Sequence, residues 1–358
     1  MSQNQQPLVS VLTPVYNGEA YLADCVESIL AQTYSNFEYI IVNNCSKDGT
    51  LEIAEKYAAS DSRIRVVTNK DFVGVIDNHN NAFNLMSPEA KYCKVVSGDD
   101  YIFPTCIDKM VELAEANPSV GLVGSYQLSG TVVKWIGFRY PTQVMSGREV
   151  SCRFLKERQS FIQGQPVHGF GSPTSLLYRA DLVRRTRAFY PNPSPHSDTS
   201  ACLQSLLSSD FGFVYEILCY ERTHEETQTS ASLKINRYLS ASLDDLIQYG
   251  PKYLGQEQTD RKARLMLMEY HRFLATHYFS RSGSKDFWDY HRTRLQELGF
   301  PLKSSQLYRA AISTVVGELV NPGLAFGKLK RRLGAKRKSA TVAAARSAKQ
   351  INQPAADA

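Results

Sequence analysis

The sequence predicts an α/β protein with a mainly parallel sheet, helices on both faces of that sheet, and a C-terminal helical extension. Over about the first 100 residues, short apolar runs rich in β-branched residues alternate with helical patterns. This alternation indicates parallel strands, because each crossover lays a helix against the sheet. From about residue 235 to 302, the pattern becomes helical and rich in aromatic residues.

Each strand is predicted from a short apolar run. The first, at 8–13 (LVSVLT), is β-branched and is expected to end at Pro14. The other strands are expected at 37–42, 63–68, 92–96, 120–128 and 212–220.

Each helix is predicted from apolar residues that recur at helical spacing. In the first helix, at 19–31, these residues are Leu22, Val26, Ile29 and Leu30. The other helices are expected at 48–59, 73–86, 104–116 and 198–207, and the clearest C-terminal one at 261–279.

The charge is unevenly distributed along the chain. The 358 residues include 41 Lys and Arg against 35 Asp and Glu, a net charge of +6. Residues 321–358 hold nine basic side chains and one acid, so this tail carries +8 and the rest about −2. A near-neutral globular part does not indicate a nucleic-acid-binding protein. We predict an α/β domain at 1–235, a helical extension at 236–320 and a basic, partly disordered tail at 321–358.

The sequence also predicts a cytoplasmic protein. No run of 18 uncharged apolar residues is present, so a membrane-spanning helix is not expected. The segment 1–6 is polar and lacks the basic and apolar regions of a secretory signal. The seven cysteines are dispersed without a CxxC pair, which indicates reduced thiols and argues against a structural zinc site.

Three polar loops follow predicted strands. In parallel sheets, ligands bind outside the carboxyl ends of the strands. We therefore expect the loops to meet at one edge of the sheet and to form a binding site there. They are 13–17, 43–46 and 97–100.

The pair Asp99-Asp100 follows a strand and a glycine in the third loop. Adjacent carboxylates are typical oxygen ligands of a hard divalent cation such as Mg²⁺ or Mn²⁺. The alternative interpretation is a solvated turn that caps a helix beginning at Pro104. The position of the pair at the shared edge favours the metal site.

Three stretches resemble the family 2 glycosyltransferases of the GT-A fold. The first is VSVLTPVYNGEAYLADCVESILAQTYSNFEYIIVNNCSKDGT at 9–50, and the second is VVSGDD at 95–100. The third comprises GSPT at 171–174, SDT at 197–199 and YERTHE at 220–225. The similarity covers about residues 8–232 and rests on the order and spacing of motifs that are weak individually. It implies an enzyme that moves a sugar, with inversion, from a nucleotide diphosphate donor to an acceptor hydroxyl.

The resemblance implies a set of nucleotide-binding residues. In this set Asn43-Asn44 stands where the family commonly has two acids, one of which accepts a hydrogen bond from the base. An Asn oxygen also accepts, but without charge, so uridine and thymidine diphosphates both stay open. Alternatively, Glu19 is a first-turn helix acid and Asn78 belongs to a polar helix face. The full set is Thr13, Pro14, Val15, Tyr16, Asn17, Glu19, Asn43, Asn44, Asp71, Asn78 and Asp99.

The resemblance also implies the catalytic base. Asp198 occupies the place where the family puts the carboxylate that takes the proton of the acceptor hydroxyl. Its alternative role is the N-cap of a helix beginning at Thr199.

The remaining implied site residues bind the metal and the sugars. His224 is expected to join Asp99 and Asp100 as a ligand of Mg²⁺ or Mn²⁺, or to pair with phosphate. The donor-sugar or acceptor region is expected at Gly171, Ser172 and Arg222, with Arg222 also a candidate phosphate contact.

The predicted function is therefore metal-dependent, inverting glycosyl transfer to a glycan or lipid-linked glycan, and the resemblance implies a role in bacterial surface polysaccharide assembly. One alternative is a non-catalytic relative that binds a sugar nucleotide or a glycan. The other is a sugar nucleotidyltransferase, which is expected to need a cation in the loop after the first strand. The loop TPVYNGE contains none.

The basic tail suggests a further partner. Leu324, Phe326, Leu329 and Leu333 lie among clustered cations, which suits a short amphipathic segment on the anionic inner face of the cell membrane. A solvated tail without a partner and attraction to nucleic acid are the alternatives.

Overall fold

The computed structural model describes residues 6–134, 140–157, 170–191, 195–222, 232 and 235–320. This part of the chain contains a ten-stranded sheet. Its strands are β1 (Val9–Val15), β2 (Phe37–Asn43), β3 (Ile64–Thr68), β4 (Tyr92–Val95), β5 (Tyr101–Ile102), β6 (Val120–Ser129), β7 (Val132–Lys134), β8 (Val144–Met145), β9 (Leu176–Arg179) and β10 (Asp210–Glu221).

The strand order is β3-β2-β1-β4-β9-β6-β10-β5, with β7 beside β6 and β8 beside β10. β1 runs parallel to β2 and to β4, β2 runs parallel to β3, and β6 runs parallel to β10. In contrast, β9 is antiparallel to both β4 and β6. The predicted α/β sheet is confirmed, with antiparallel strands that make it mixed.

β1 extends beyond the predicted end at Pro14. Proline lacks an amide N–H, so it cannot donate to a neighbouring strand. Its position nevertheless pairs with Val42, and the Val15 carbonyl accepts from the Asn44 amide at 2.9 Å. Because the bond after Pro14 is made, the strand continues to Val15.

Helices cover both faces of the sheet. Along β1, Val11 belongs to a core that includes Cys25 and Ile107, whereas Leu12 belongs to a second core with Phe83 and Leu203. Alternate strand residues thus face opposite layers. The helices are α1 (Leu22–Leu30), α2 (Thr50–Ser60), α3 (Val75–Phe83), α4 (Cys106–Ala116), α5 (Gly147–Glu157), α6 (Ala180–Val183), α7 (Ser197–Ser205), α8 (Tyr238–Tyr253), α9 (Gln256–Ser280), α10 (Lys285–Glu297) and α11 (Ser304–Val320).

The chain forms two compact units, Met1–Met266 and Leu267–Ala358. In the first, α8 packs against α5 and α7, with Tyr249 and Tyr253 in the core. In the second, the buried Tyr270 hydroxyl lies 2.5 Å from His291 Nδ1. The predicted C-terminal helices are present. The domain boundaries predicted after 235 and 320 stay predictions, because this division does not show which part folds alone.

Two further predictions concern the state of the cysteines and the presence of a membrane-spanning helix. All seven cysteines are free thiols. Among the described helices, none is both long and apolar enough to cross a bilayer.

Candidate active site

The three polar loops predicted to share an edge of the sheet lie together. β1 and β2 end side by side, with Val15 paired to Asn43. The loop after β4 reaches the same place, since a Cβ atom at Gly98 would stand 2.8 Å from Val15 Cγ2. Glycine therefore permits this close approach. We call this edge the rim; it consists of residues 13–19, 43–46 and 97–100.

The loop after β1 is anchored to the start of α2. The Asn17 amide donates to Ser46 Oγ at 3.0 Å, and Asn17 Oδ1 accepts from the Lys47 amide at 2.9 Å. Glu19 Oε2 accepts from the Gly49 amide at 3.0 Å, and Glu19 precedes α1 rather than lying in its first turn. These bonds fix the shape of the loop. The predicted nucleotide contacts of Asn17 and Glu19 stay predictions.

Tyr16 presents an exposed ring at the rim. It is 44% exposed, and its ring centroid lies 4.8 Å from that of Phe72, which is 61% exposed. Two exposed rings can cover the flat face of a base or a ribose. Thr13, Pro14 and Val15 are buried, and their predicted nucleotide contacts stay predictions. The sequence analysis missed Phe72, because only the tertiary structure places it beside Tyr16.

Asn44 is the centre of an amide network. Its Oδ1 accepts from the Val73 amide and from Asn69 Nδ2, both at 3.0 Å, and its Nδ2 donates to the Val73 carbonyl at 2.8 Å. Asn69 Nδ2 also donates to Asn78 Oδ1 at 2.8 Å. An amide oxygen has two lone pairs, and both of those on Asn44 are used. The network ties segment 69–73 to the end of β2.

Asn43 is buried beside this network. Its Oδ1 accepts from the Ser46 amide at 3.1 Å, and its Nδ2 lies 3.2 Å from Thr68 Oγ1. The Asn43 oxygen retains a second lone pair, so it is a better candidate than Asn44 to accept from a base. Asp71 is exposed on the segment that the network holds. The nucleotide contacts of these residues and of Asn78 stay predictions.

Asp100 is a buried carboxylate that two neighbouring segments hold. It is 5% exposed. Its Oδ2 accepts from Thr174 Oγ1 at 2.6 Å, and its Oδ1 accepts from the Arg222 amide at 3.0 Å. Burial, and then the charge of Asp99, raise the pKa of Asp100 to about 7. A divalent cation would relieve this cost, because it favours the charged form.

The Arg222 side chain lies beside the acidic pair. Its Nε donates to the Asp99 carbonyl at 3.0 Å, and its Nη2 donates to Asp24 Oδ2 at 2.9 Å. The guanidinium also lies 4.7 Å from the centre of the Tyr21 ring. Arg222 therefore joins β10 to α1 and to the acidic pair. Its predicted phosphate contact stays a prediction.

The chemistry of Asp99 and Asp100 fits a divalent cation. Among the described residues, no group of three or more His, Cys, Asp or Glu side chains could hold a metal. Mg²⁺, however, is typically bound by one or two carboxylates together with substrate phosphates and water. Each Asp100 oxygen accepts one hydrogen bond, which leaves it acceptor capacity. The predicted third ligand, His224, lies outside the described residues.

The turn before β9 supports Asp100. Thr174 Oγ1, which donates to Asp100, also accepts from the Ser97 amide at 3.1 Å. The fully buried Lys94 ammonium donates to the Thr174 carbonyl and, at 3.1 Å, to the Leu176 carbonyl. These bonds join the turn to β4. The sequence analysis missed Lys94 and Thr174 as supports, because their bonds span about 80 residues of chain.

The predicted sugar-site residues Gly171 and Ser172 begin the same turn. Gly171 has φ of +133°, and a Cβ there would lie 2.3 Å from Ser175 Oγ, so a side chain is excluded. Ser172 Oγ donates to Gln127 Oε1 at 2.6 Å. Both residues are thus fixed near Thr174. Their sugar contacts stay predictions.

Asp198 lies in the first turn of α7 and is partly exposed. The helix begins at Ser197, so Asp198 is not its N-cap, and the N-cap interpretation is wrong. Asp198 Oδ1 accepts from the Thr199 amide at 2.7 Å. Burial, and then the Asp198 charge, raise the pKa of Tyr190 well above its usual range. The Tyr190 backbone is in turn bonded to the Asn80 side chain of α3.

α8 holds the turn that carries Asp198. Asp245 is 2% exposed. Its Oδ2 lies 3.1 Å from His196 Nδ1, and its Oδ1 accepts from Ser200 Oγ at 2.6 Å. His196 and Ser200 stand two residues to either side of Asp198. Asp245 therefore fixes the start of α7, a role that no local sequence pattern predicts.

Replacing Asp245 by alanine should destabilise the first unit. Asp245→Ala leaves His196 and Ser200 without this partner in a buried place, so we expect a loss of about 2–4 kcal/mol in the free energy of unfolding. Urea denaturation measures it. The matched control is Asp244→Ala on the same helix, whose Oδ1 accepts from the exposed Gln248; we expect a loss below about 1 kcal/mol. Equal losses would show that Asp245 has no special role.

Comparison with known proteins identifies the family. Residues 10–186 match the family model described as Glycosyl transferase family 2. Residues 10–186 belong to glycosyl transferase family 2. This match covers the three segments that build the rim, and also the turn before β9 that supports Asp100.

Relatives of this chain support the assignment. An uncharacterized glycosyltransferase of Haemophilus influenzae is 31% identical over 195 residues, which are 54% of this chain and 58% of that protein. A putative teichuronic acid biosynthesis glycosyltransferase of Bacillus subtilis, TuaG, is 38% identical over 109 residues, 30% of this chain and 42% of that protein. The chain thus spans about half the length of these two relatives.

A solved structure shows the same fold. The crystal structure of S. aureus TarS 1-349 in complex with UDP-GlcNAc matches 82% of this chain and 80% of that chain, with a TM-score of 0.53 and 16% identity. At this identity the likeness shows the fold alone. The predicted GT-A fold is confirmed.

Proposed function

We propose that this family 2 chain transfers a sugar, with inversion, from a nucleotide diphosphate sugar to a glycan or lipid-linked glycan. The observation that carries the proposal is the meeting of the Asp99-Asp100 pair with the β1 and β2 loops at one rim. A nucleotide sugar needs both features, since its base and ribose require a polar, aromatic-lined cleft and its diphosphate requires compensation of negative charge.

The proposed donor is a uridine or thymidine diphosphate sugar. Tyr16 and Phe72 would cover the base or ribose, and the free lone pair of Asn43 Oδ1 would accept from the base. TarS, which shares the fold, was crystallised with UDP-GlcNAc, which supports a uridine nucleotide. The proposed context is bacterial surface polysaccharide assembly, which the printed name of TuaG supports.

Asp99 and Asp100, with His224, would hold a divalent cation beside the diphosphate. Such a cation acts as a Lewis acid and compensates the charge that develops on the leaving group. Hydrogen bonds within the protein hold Asp100 in position for the cation: Thr174 and the Arg222 amide donate to Asp100, and Lys94 donates to the Thr174 carbonyl.

Asp198 would accept the proton of the acceptor hydroxyl as it attacks the anomeric carbon. A carboxylate is suited to this role when it is close to the hydroxyl and ionised. Its partial exposure lets it meet an incoming acceptor, and Asp245 fixes the helix turn on which it stands. Inversion follows from a single attack on the face opposite the leaving diphosphate.

Release of nucleotide diphosphate from a panel of nucleotide sugars tests the proposal. With Mn²⁺ or Mg²⁺ present, we expect turnover of at least one uridine or thymidine donor, slow by hydrolysis and faster with a glycan acceptor. Chelation by EDTA should lower this rate by about 10²-fold or more, because the leaving-group charge loses its compensation. Readdition of Mn²⁺ serves as the control.

Two outcomes would contradict the proposed reaction. Donor binding in a thermal-shift assay without any turnover would favour the non-catalytic relative. Formation of pyrophosphate from a nucleoside triphosphate and a sugar phosphate would favour the nucleotidyltransferase, although the loop 13–19 contains no Lys or Arg to hold a triphosphate.

A further inference from the structure

Five apolar side chains of the second compact unit form an exposed surface. Each is between 49% and 62% exposed. The rings of Phe279 and Tyr308 lie 5.3 Å apart, so α9 and α11 contribute to the same surface. We call this surface the C-terminal patch; it consists of Phe279, Tyr308, Ile312, Val315 and Val316.

The patch gives α11 two apolar sides. Leu307 and Ala310 are buried on one side of the helix. The exposed positions 308, 312, 315 and 316 follow the spacing i, i+4, i+7 and i+8, which places them on one stripe. A surface helix needs a single apolar stripe to join its unit. A second one, open to solvent, is typical of a binding surface.

The sequence that follows α11 indicates the chemistry of the partner. Residues 321–358 carry nine basic side chains and one acid, and the basic residues from 328 to 338 are interspersed with Leu329 and Leu333. Apolar residues enter the boundary between headgroups and acyl chains, and nearby cations are attracted to anionic lipids. A second copy of the chain would instead bring a second segment of charge +8, and the like charges would oppose dimerisation.

We propose that the C-terminal patch is a docking surface for an anionic lipid bilayer. The proposal deepens the proposed function, since a lipid-linked acceptor would be presented at such a bilayer. The patch supplies the apolar area, and the cations that follow α11 in the sequence indicate that the partner is anionic.

Vesicle sedimentation with the full chain tests the docking surface. The probes are vesicles of phosphatidylcholine alone and vesicles that also contain phosphatidylglycerol, at low and high salt, without donor or acceptor. We expect binding to the phosphatidylglycerol vesicles that weakens at high salt. Ile312→Ser/Val316→Ser should lower the partition coefficient about tenfold or more, because two exposed apolar side chains are lost.

The matched control is Val132→Ser/Val133→Ser on β7, which removes two exposed apolar side chains from the first unit. It should bind within about twofold of the unmodified chain. Unchanged binding by Ile312→Ser/Val316→Ser would overturn the role of the patch, and equal binding to both vesicle types would overturn the anionic partner. If the unmodified chain is a dimer, Ile312→Ser/Val316→Ser is a monomer and neither binds vesicles, then the partner of the patch is a second copy of the chain. Donor hydrolysis without vesicles should be unaffected by the variant, so failure of docking is separable from failure of the proposed reaction.

Discussion

Asp198→Asn is expected to lower the turnover number for glycosyl transfer about 10²- to 10⁴-fold, the range attributed to general base catalysis. The amide has almost the shape of the carboxylate, and its oxygen can still accept from the Thr199 amide, so the first turn of α7 should be unchanged. It cannot take a proton from the acceptor hydroxyl. Steady-state kinetics with acceptor, and calorimetric binding of the donor nucleotide, measure the two quantities separately.

Asp108→Asn is the matched control for this prediction. Asp108 is also a partly exposed acid in the first turn of a helix, α4, which packs in the other core layer. Its replacement should leave turnover within about twofold. Unchanged turnover in Asp198→Asn would remove Asp198 as the base. A large loss of donor binding in Asp198→Asn would indicate instead that the residue acts on the nucleotide.

Much of the fold could be predicted because its signals are local. The β-branched run at 37–42 lies within β2, and the apolar spacing from Leu22 to Leu30 coincides with α1. The boundaries differ where long-range bonds decide them. The Asn17 and Gly18 amides donate to Ser46 and Thr50, 29 and 32 positions further along the chain, and α1 begins at Leu22, three residues later than predicted. The antiparallel insertion of β9 between β4 and β6 likewise depends on distant pairing and leaves no local pattern.

The site likewise has features that the sequence predicts and others that depend on long-range bonds. Strand ends are readable from sequence, so the meeting of the loops at 13–17, 43–46 and 97–100 follows from a parallel sheet. The residues that support the site do not follow. Thr174 reaches Asp100 from 74 positions away, and Asp245 reaches Ser200 from 45. Only the folded chain brings these buried donors to their carboxylates.

The double variant Asp99→Asn/Asp100→Asn should lower the turnover number on the order of 10²- to 10³-fold. This corresponds to a loss of several kcal/mol of transition-state stabilisation. Asparagine retains the size of the side chains and can still accept from the Arg222 amide, so the rim should keep its shape. The negative charge that would hold a divalent cation is removed. We also expect the additional rise in melting temperature that Mn²⁺ gives in the presence of UDP to disappear, since that rise requires a bound cation.

Glu221→Gln separates a specific metal site from a general effect of charge. Glu221 contributes to the electrostatics of Asp100 from the end of β10, but its carboxylate pairs with Lys134 at 2.6 Å. If Asp99 and Asp100 act as ligands, Glu221→Gln should change turnover less than about threefold and keep the Mn²⁺-dependent shift. If negative charge at the rim is all that matters, Glu221→Gln should weaken the Mn²⁺ response as well. If Asp99→Asn/Asp100→Asn keeps both its turnover and the Mn²⁺-dependent rise in melting temperature, the acidic pair takes no part in the chemistry. Among the described residues of the rim, this pair alone combines two adjacent carboxylates with hydrogen bonds from Thr174 and Arg222.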